Sequence, residues 1–197
     1  MRVLLFNPPG PGDRAFIREG RCTQEAGAWS VLWPPVTLAT AAALLREDGH
    51  RVRVVDFPAA GLGTADLAQL LLAEPPDVVV WSTGTPTLPF DLDLGAFVRE
   101  TAPAAFTAVL GTHVSIQPTA ALARAGIDAV LRGEPEGVLR NLCRALERVR
   151  AGLSPQERQS RDFRGSADPP ARGENDPDSP PDGLSSVRGL SWRGGDG

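Results

Sequence analysis

Residues 77–84 read Asp77-Val78-Val79-Val80-Trp81-Ser82-Thr83-Gly84. Four large apolar residues in succession, with no polar alternation, suit a strand covered on both faces rather than one half-exposed to water. The small hydroxyl residues and glycine that follow suit a loop whose backbone a ligand can approach closely.

The same pattern recurs on either side of this segment. Apolar runs at 2–6, 51–55, 107–110 and 128–131 are equally short, and each is followed by turn residues. Amphipathic stretches lie between them. Leu38, Ala41, Ala42 and Leu45 recur at helical spacing within 36–48, and Gly49 supplies a stop. Thr64 is placed to cap a helix over 64–75, and further helices are expected over 92–101 and over 119–125, the latter ended by Gly126. In the last, over 135–149, Pro135 occupies the first turn, and Val138, Leu139, Leu142, Ala145, Leu146 and Val149 form one face. Arg140, Arg144 and Arg148 repeat on the other face, as a solvated surface would. Strands alternating with helices predict an α/β fold: a flavodoxin-like or Rossmann-like doubly wound parallel five-stranded sheet with helices on both faces.

Composition divides the chain further. Residues 1–152 carry the strand and helix pattern. Residues 153–186 are dominated by Pro, Gly, Ser, Asp and Arg, and are expected to form a disordered linker. Residues 187–197 hold a short strand-like remnant. Within the domain, the 8–34 segment is unusually long for a connection and carries Phe16, Ile17, Trp29 and Trp33, which marks it as a functional or partner-covering loop.

Several function classes are disfavoured. The net charge of −4 offers no basic field for nucleic acid or anionic lipid. The chain has no lysine, so a phosphate-cradling G-x-x-x-x-G-K-[ST] loop is absent. Gly10-Pro11-Gly12 follows the first strand, but its prolines do not suit a dinucleotide fingerprint. Two cysteines, Cys22 and Cys143, make no disulfide framework or metal-ligand spacing, and no apolar run spans a bilayer. A cytoplasmic protein is expected. His50 lies beyond the amino ends of the strands and reads as a surface turn residue; His113 lies after the fourth strand, on the side where open α/β sheets bind ligands. No nucleophile–base pair or metal set can be named.

The loops after the strands carry a resemblance. The phrases 2–9 (RVLLFNPP), Pro34-Pro35 with Leu38-Ala39, and 49–56 (GHRVRVVD) stand in order. Gly111-x-His113-x-Ser115-x-x-Pro118, Asp128-x-Val130-x-x-Gly133-Glu134 and 189–193 (GLSWR) complete the set. This ordered set resembles the cobalamin-binding domain at the front of radical S-adenosylmethionine enzymes. The resemblance implies a corrin ring over the carboxyl edge of the sheet and cobalamin as the partner. Asn7, Pro8 and Pro9 would shape the floor. Ser82, Thr83, Gly84, Gly111, Thr112, His113, Gly133 and Glu134 would contact the ring amides or the nucleotide tail.

Two departures qualify what it implies. The loop after the first strand reads Asn7-Pro8-Pro9-Gly10-Pro11-Gly12 where a D-x-H-x-x-G would supply a lower-axial histidine, so a histidine-off cofactor is expected. No C-x-x-x-C-x-x-C occurs, so no iron–sulfur cluster is expected within these residues, which alone would not be catalytic. A separately encoded radical domain would then be a partner. The alternative is a cofactor-free interaction domain docking through the 8–34 loop.

Overall fold

A computed structural model describes residues 1–18, 25–27, 32–152 and 183–193. The strands are β1 Arg2–Asn7, β2 Arg51–Asp56, β3 Val78–Ser82, β4 Phe106–Leu110, β5 Ala129–Leu131 and β6 Leu190–Trp192. The helices are α1 Val36–Glu47, α2 Phe57–Ala60, α3 Thr64–Ala73, α4 Leu88–Thr101, α5 Thr112–Ile116, α6 Pro118–Leu122 and α7 Pro135–Arg150. They build one sheet in the order β2-β1-β3-β4-β5-β6. The first five strands are parallel and β6 is antiparallel to β5.

Strand pleating divides the core in two. Leu5, Val80, Ala108 and Leu131 point to the face covered by α1 and α7, against Leu38, Leu45, Leu139 and Leu142. Leu4, Phe6, Val79, Trp81 and Val109 point to the opposite face, against Phe57, Leu67, Leu71 and Val98. Trp81 stacks on Phe6, with ring centroids 5.8 Å apart, and Phe57 meets Phe6 edge-on. Both faces of β3 are buried throughout, which is why its sequence shows no alternation.

Three expectations change. The sheet has six strands, because Leu190–Trp192 returns to pair with the exposed edge of β5 while Leu184, Val187 and Leu190 bury against the α7 side. The strand-like character of this stretch is legible in the sequence; its pairing with β5, across a long non-apolar segment, is not. The arginines of α7 are not simply a solvated row. Arg140 donates two hydrogen bonds to Asp48 at 2.8 and 2.6 Å, and Arg144 two more at 3.0 and 3.1 Å. His50 is buried, not on the surface: its ring lies 3.3 Å from both the N-terminal amine and the Glu147 carboxylate. The remaining shifts are local. Gly63 rather than Thr64 stands at the start of α3, where the Asp66 carboxylate accepts its N–H, and α4 begins at Leu88.

The Asp48 clamp ties α1 to α7 across the amino edge. Hydrogen bonds from Arg140, and then from Arg144, hold its carboxyl well below the ordinary carboxylate range. Because the folded-state value is depressed, the clamp stabilises fully above the unfolded-state value of about 4, and its contribution is lost as pH falls below that. Asp48→Asn should therefore lower unfolding free energy at pH 7 by about 1–2 kcal/mol. The deficit against the parent chain should shrink toward pH 2 in urea titrations.

Candidate functional site

In an open α/β sheet ligands bind beyond the carboxyl ends of the strands, at the point where strand order reverses. Here that point lies at β1, with β2 on one side and β3 on the other. Pairing of Phe6 with Trp81 makes Asn7 and Ser82 the next neighbours, each the last residue of its strand. Both are buried, and both follow the pleat onto the α1 and α7 face. Asn7 donates weakly to Asp56 at 3.4 Å, but its Oδ1 has no partner among the described residues, and neither has the Ser82 Oγ. A buried polar atom without a partner costs about 1–3 kcal/mol, so two at one strand end mark a place where a ligand would supply hydrogen bonds. The other two such atoms, His50 Nε2 and Trp192 Nε1, are ring nitrogens of residues beside or within opposite edge strands of the sheet and form no pair.

The neighbouring loops are held by short contacts. Thr83 donates through both its N–H and its Oγ1 to the Leu110 carbonyl, at 2.8 and 2.9 Å. Gly111 follows at φ 145°, and a Cβ there would stand 2.4 Å from the Thr83 Oγ1, so the loops after β3 and β4 close on each other only with glycine at 111. Thr112 and His113 begin α5, so His113 sits on a short helix rather than in an open loop. At the fourth position Gly133 has φ 75° with nothing within 4 Å of a Cβ, leaving its backbone open to approach, and Glu134 stands exposed at the start of α7.

The strongest interaction at this edge is one the sequence did not announce. Arg18, from the long loop after β1, and Asp91, on α4, form an ion pair at 2.7 Å with both side chains completely buried. The guanidinium also donates to the carbonyls of Pro8, at 2.7 Å, and Pro9, at 3.3 Å. The carboxylate also accepts the Gly84 N–H at 2.9 Å and the Thr87 hydroxyl at 2.6 Å, while the Asp91 carbonyl accepts the Trp81 indole N–H at 2.8 Å. One pair thus fixes Pro8, Pro9 and Gly84, three of the positions singled out from the sequence. An arginine in a loop and an aspartate on an apolar helix, 73 residues apart, give no local signal. The helix expected over 92–101 begins after Asp91, so the sequence pattern does not place this acid on a helix at all.

Other candidates separate from this edge. Cys143 is buried in α7, and burial pushes its thiol up to about 12, away from reactivity. Cys22 and Trp29 lie outside the described residues. Among the described residues no three of His, Cys, Asp and Glu come together as a metal set, and no helix is long and apolar enough to cross a membrane. Of the two pockets described, the smaller, about 170 Å³, lies at the carboxyl edge between the β1 loop and α2, lined by Pro9, Gly10, Phe57, Leu62 and others. The larger lies at the opposite edge.

A sheet with its switch point at β1, glycine loops at its carboxyl edge and unpartnered polar atoms beneath them defines a cofactor-binding domain of the doubly wound class. Residues 29–143 match the family model described as the B12 binding domain, and the chain belongs to that family. A curated relative, the "Uncharacterized methyltransferase PH0819" of Pyrococcus horikoshii, is 30% identical over 163 residues, 80% of this chain and 33% of the relative. This chain therefore spans about a third of the length of that relative. Among solved structures, the radical S-adenosylmethionine methyltransferase TsrM of Kitasatospora setae is similar in fold. Its complex with tryptophan substrate and a SAM analogue superposes with a TM-score of 0.58 at 18% identity, over 78% of this chain and 26% of TsrM. The form with cobalamin and a [4Fe-4S] cluster gives 0.57 at 19% identity, over 78% and 27%.

The buried pair generates a stability prediction. Asp91→Leu or Arg18→Met, each leaving one buried charge without its partner, should cost about 3–5 kcal/mol. In urea unfolding, the Arg18→Met/Asp91→Leu double variant should lose less than the sum of the two single losses.

Proposed function

We propose that the domain binds cobalamin at its carboxyl edge, and that it works as the cobalamin-holding part of a methyltransferase resembling the radical S-adenosylmethionine type. The observation that carries this reading is the pair of unpartnered buried atoms, Asn7 Oδ1 and Ser82 Oγ, at the strand-order reversal. The residues fit such a ligand. Ser82 and Asn7 offer one hydroxyl and one amide oxygen to the nucleotide tail or to corrin amides. The open backbone at Gly133, with Glu134 beside it, supplies a further polar wall, and Thr112 and His113 stand at the start of α5. Pro8 and Pro9, their carbonyls engaged by Arg18, form a rigid floor.

The chemistry the cofactor supplies when bound is carriage of a methyl group between donor and acceptor. This chain's own part is to bind and orient. No histidine occurs between Asn7 and Arg18, so that loop would offer the cobalt no imidazole, which supports a histidine-off cofactor. Because the 197 residues hold no C-x-x-x-C-x-x-C, radical generation falls to a partner domain. Exposed apolar side chains that such a domain would meet are Trp33 and Val36, at the start of α1, and Ile116, at the end of α5.

Hydroxocobalamin mixed with the purified chain should keep its corrin absorption band on the protein through desalting. Complete loss of the band would overturn the binding reading and favour a cofactor-free docking domain. Ser82→Ala should leave the free protein as stable as before or slightly more so, since it removes an unsatisfied buried hydroxyl. It should weaken cobalamin binding about 5–10-fold, as loss of one hydrogen bond would.

A further inference from the structure

The larger of the two pockets lies at the amino edge, remote from the B12 site. It encloses about 410 Å³ and is lined by Arg2, Leu4, Arg51, Arg53, Leu70 and Glu74, among others. Register places its charges together: Arg2 pairs with Arg51 across β1 and β2, and Leu4 with Arg53. By the pleat, all four side chains lie on the face that carries Leu4, beside the last turn of α3. Arg53 is engaged by Glu74 at 3.4 Å. The guanidinia of Arg2 and Arg51 have no acidic partner among the described residues, and Asp77, the nearest acid in the chain order of β3, is taken by the Arg2 N–H and by Arg150.

Like charges side by side on neighbouring strands destabilise a sheet. Charged residues on an edge strand protect it from pairing with other chains, which accounts for Arg51 and Arg53 on β2. It does not account for Arg2, because β1 lies between β2 and β3. The two free guanidinia also run against the overall charge of −4. Each is a planar fork suited to bidentate contact with an oxyanion. The wall opposite, Leu70, Ala73 and Pro76, is largely apolar.

We propose that this groove is a second ligand site, taking a small organic oxyanion, a phosphate monoester or a carboxylic acid with an apolar body. Arg2 and Arg51 grip the anion and the α3 wall covers the apolar part. The site does not depend on cobalamin, since it lies at the other end of the strands.

The test is an NMR titration of the full chain, without cobalamin, with phenyl phosphate, phthalate and inorganic phosphate. Saturable shifts confined to Arg2, residues 51–53 and residues 70–74 are expected. Phenyl phosphate, phthalate or both should bind at least tenfold more tightly than inorganic phosphate; which of them does so separates phosphate from carboxylate recognition. Arg2→Gln/Arg51→Gln should abolish saturation while the far-UV spectrum stays unchanged. Arg124→Gln, at an exposed pair with Asp93 elsewhere on the surface, should leave binding intact. Shifts that never saturate, or that survive the double substitution, would overturn the proposal. Should the double variant misfold, Arg51→Gln alone, on the edge strand, must weaken binding at least threefold.

Discussion

A carboxylate shut away from water must be met by charge and hydrogen bonds or give up its ionisation. Asp91 is fully buried, and everything at the carboxyl edge is arranged around meeting it. Arg18 arrives from the long β1 loop, Gly84 and Thr87 turn back from the end of β3, and Trp81 is held through its indole to the same residue. The pair need not add net stability over an apolar substitute. Its effect is geometric. In the placement seen, every member of this network is satisfied, and its bonds to the Pro8 and Pro9 carbonyls and the Gly84 N–H hold the proline floor and the glycine turn.

The two ends of the sheet use charge differently. At the amino edge carboxylates are clasped from outside: Asp48 by Arg140 and Arg144, Asp77 by Arg150 and the Arg2 N–H, Glu147 beside the N-terminal amine and His50. These contacts tie α1 and α7 to the strands and are partly open to solvent. At the carboxyl edge the charge is buried, and neutral polar atoms at the ends of β1 and β3 are left without partners. A domain that spends its ionic contacts on holding its base and its loops keeps its hydrogen-bonding capacity for the ligand edge.

Close approach of the loops after β3 and β4 sharpens that edge. Thr83 and Gly111 meet so tightly that any side chain at 111 would displace the hydroxyl now bonded to the Leu110 carbonyl. The membership of the B12 binding domain family rests on residues 29–143, which include these loops and omit β1 and most of the β1 loop, Arg18 among it. The ion pair therefore joins a segment outside the family match to one inside it.

The α/β alternation, the five parallel strands to within a residue or two, and the glycine and hydroxyl loops that face one edge are all legible in the chain. Those features are local: burial on both faces removes alternation from a strand, and a loop that admits a ligand needs small residues wherever it occurs. The sequence also carried the ordered phrases behind the family resemblance. The tertiary structure decided what depends on distant residues meeting. Arg18 and Asp91, Arg140 and Asp48, and β6 with β5 are separated by about 60 to 90 residues, and no periodicity records such pairings. His50 looked like a turn residue because its neighbours are turn residues; only packing against α7 and the N-terminus buries it. The free oxygens of Asn7 and Ser82 belong to the same class, since being unsatisfied is a property of surroundings and not of the residue.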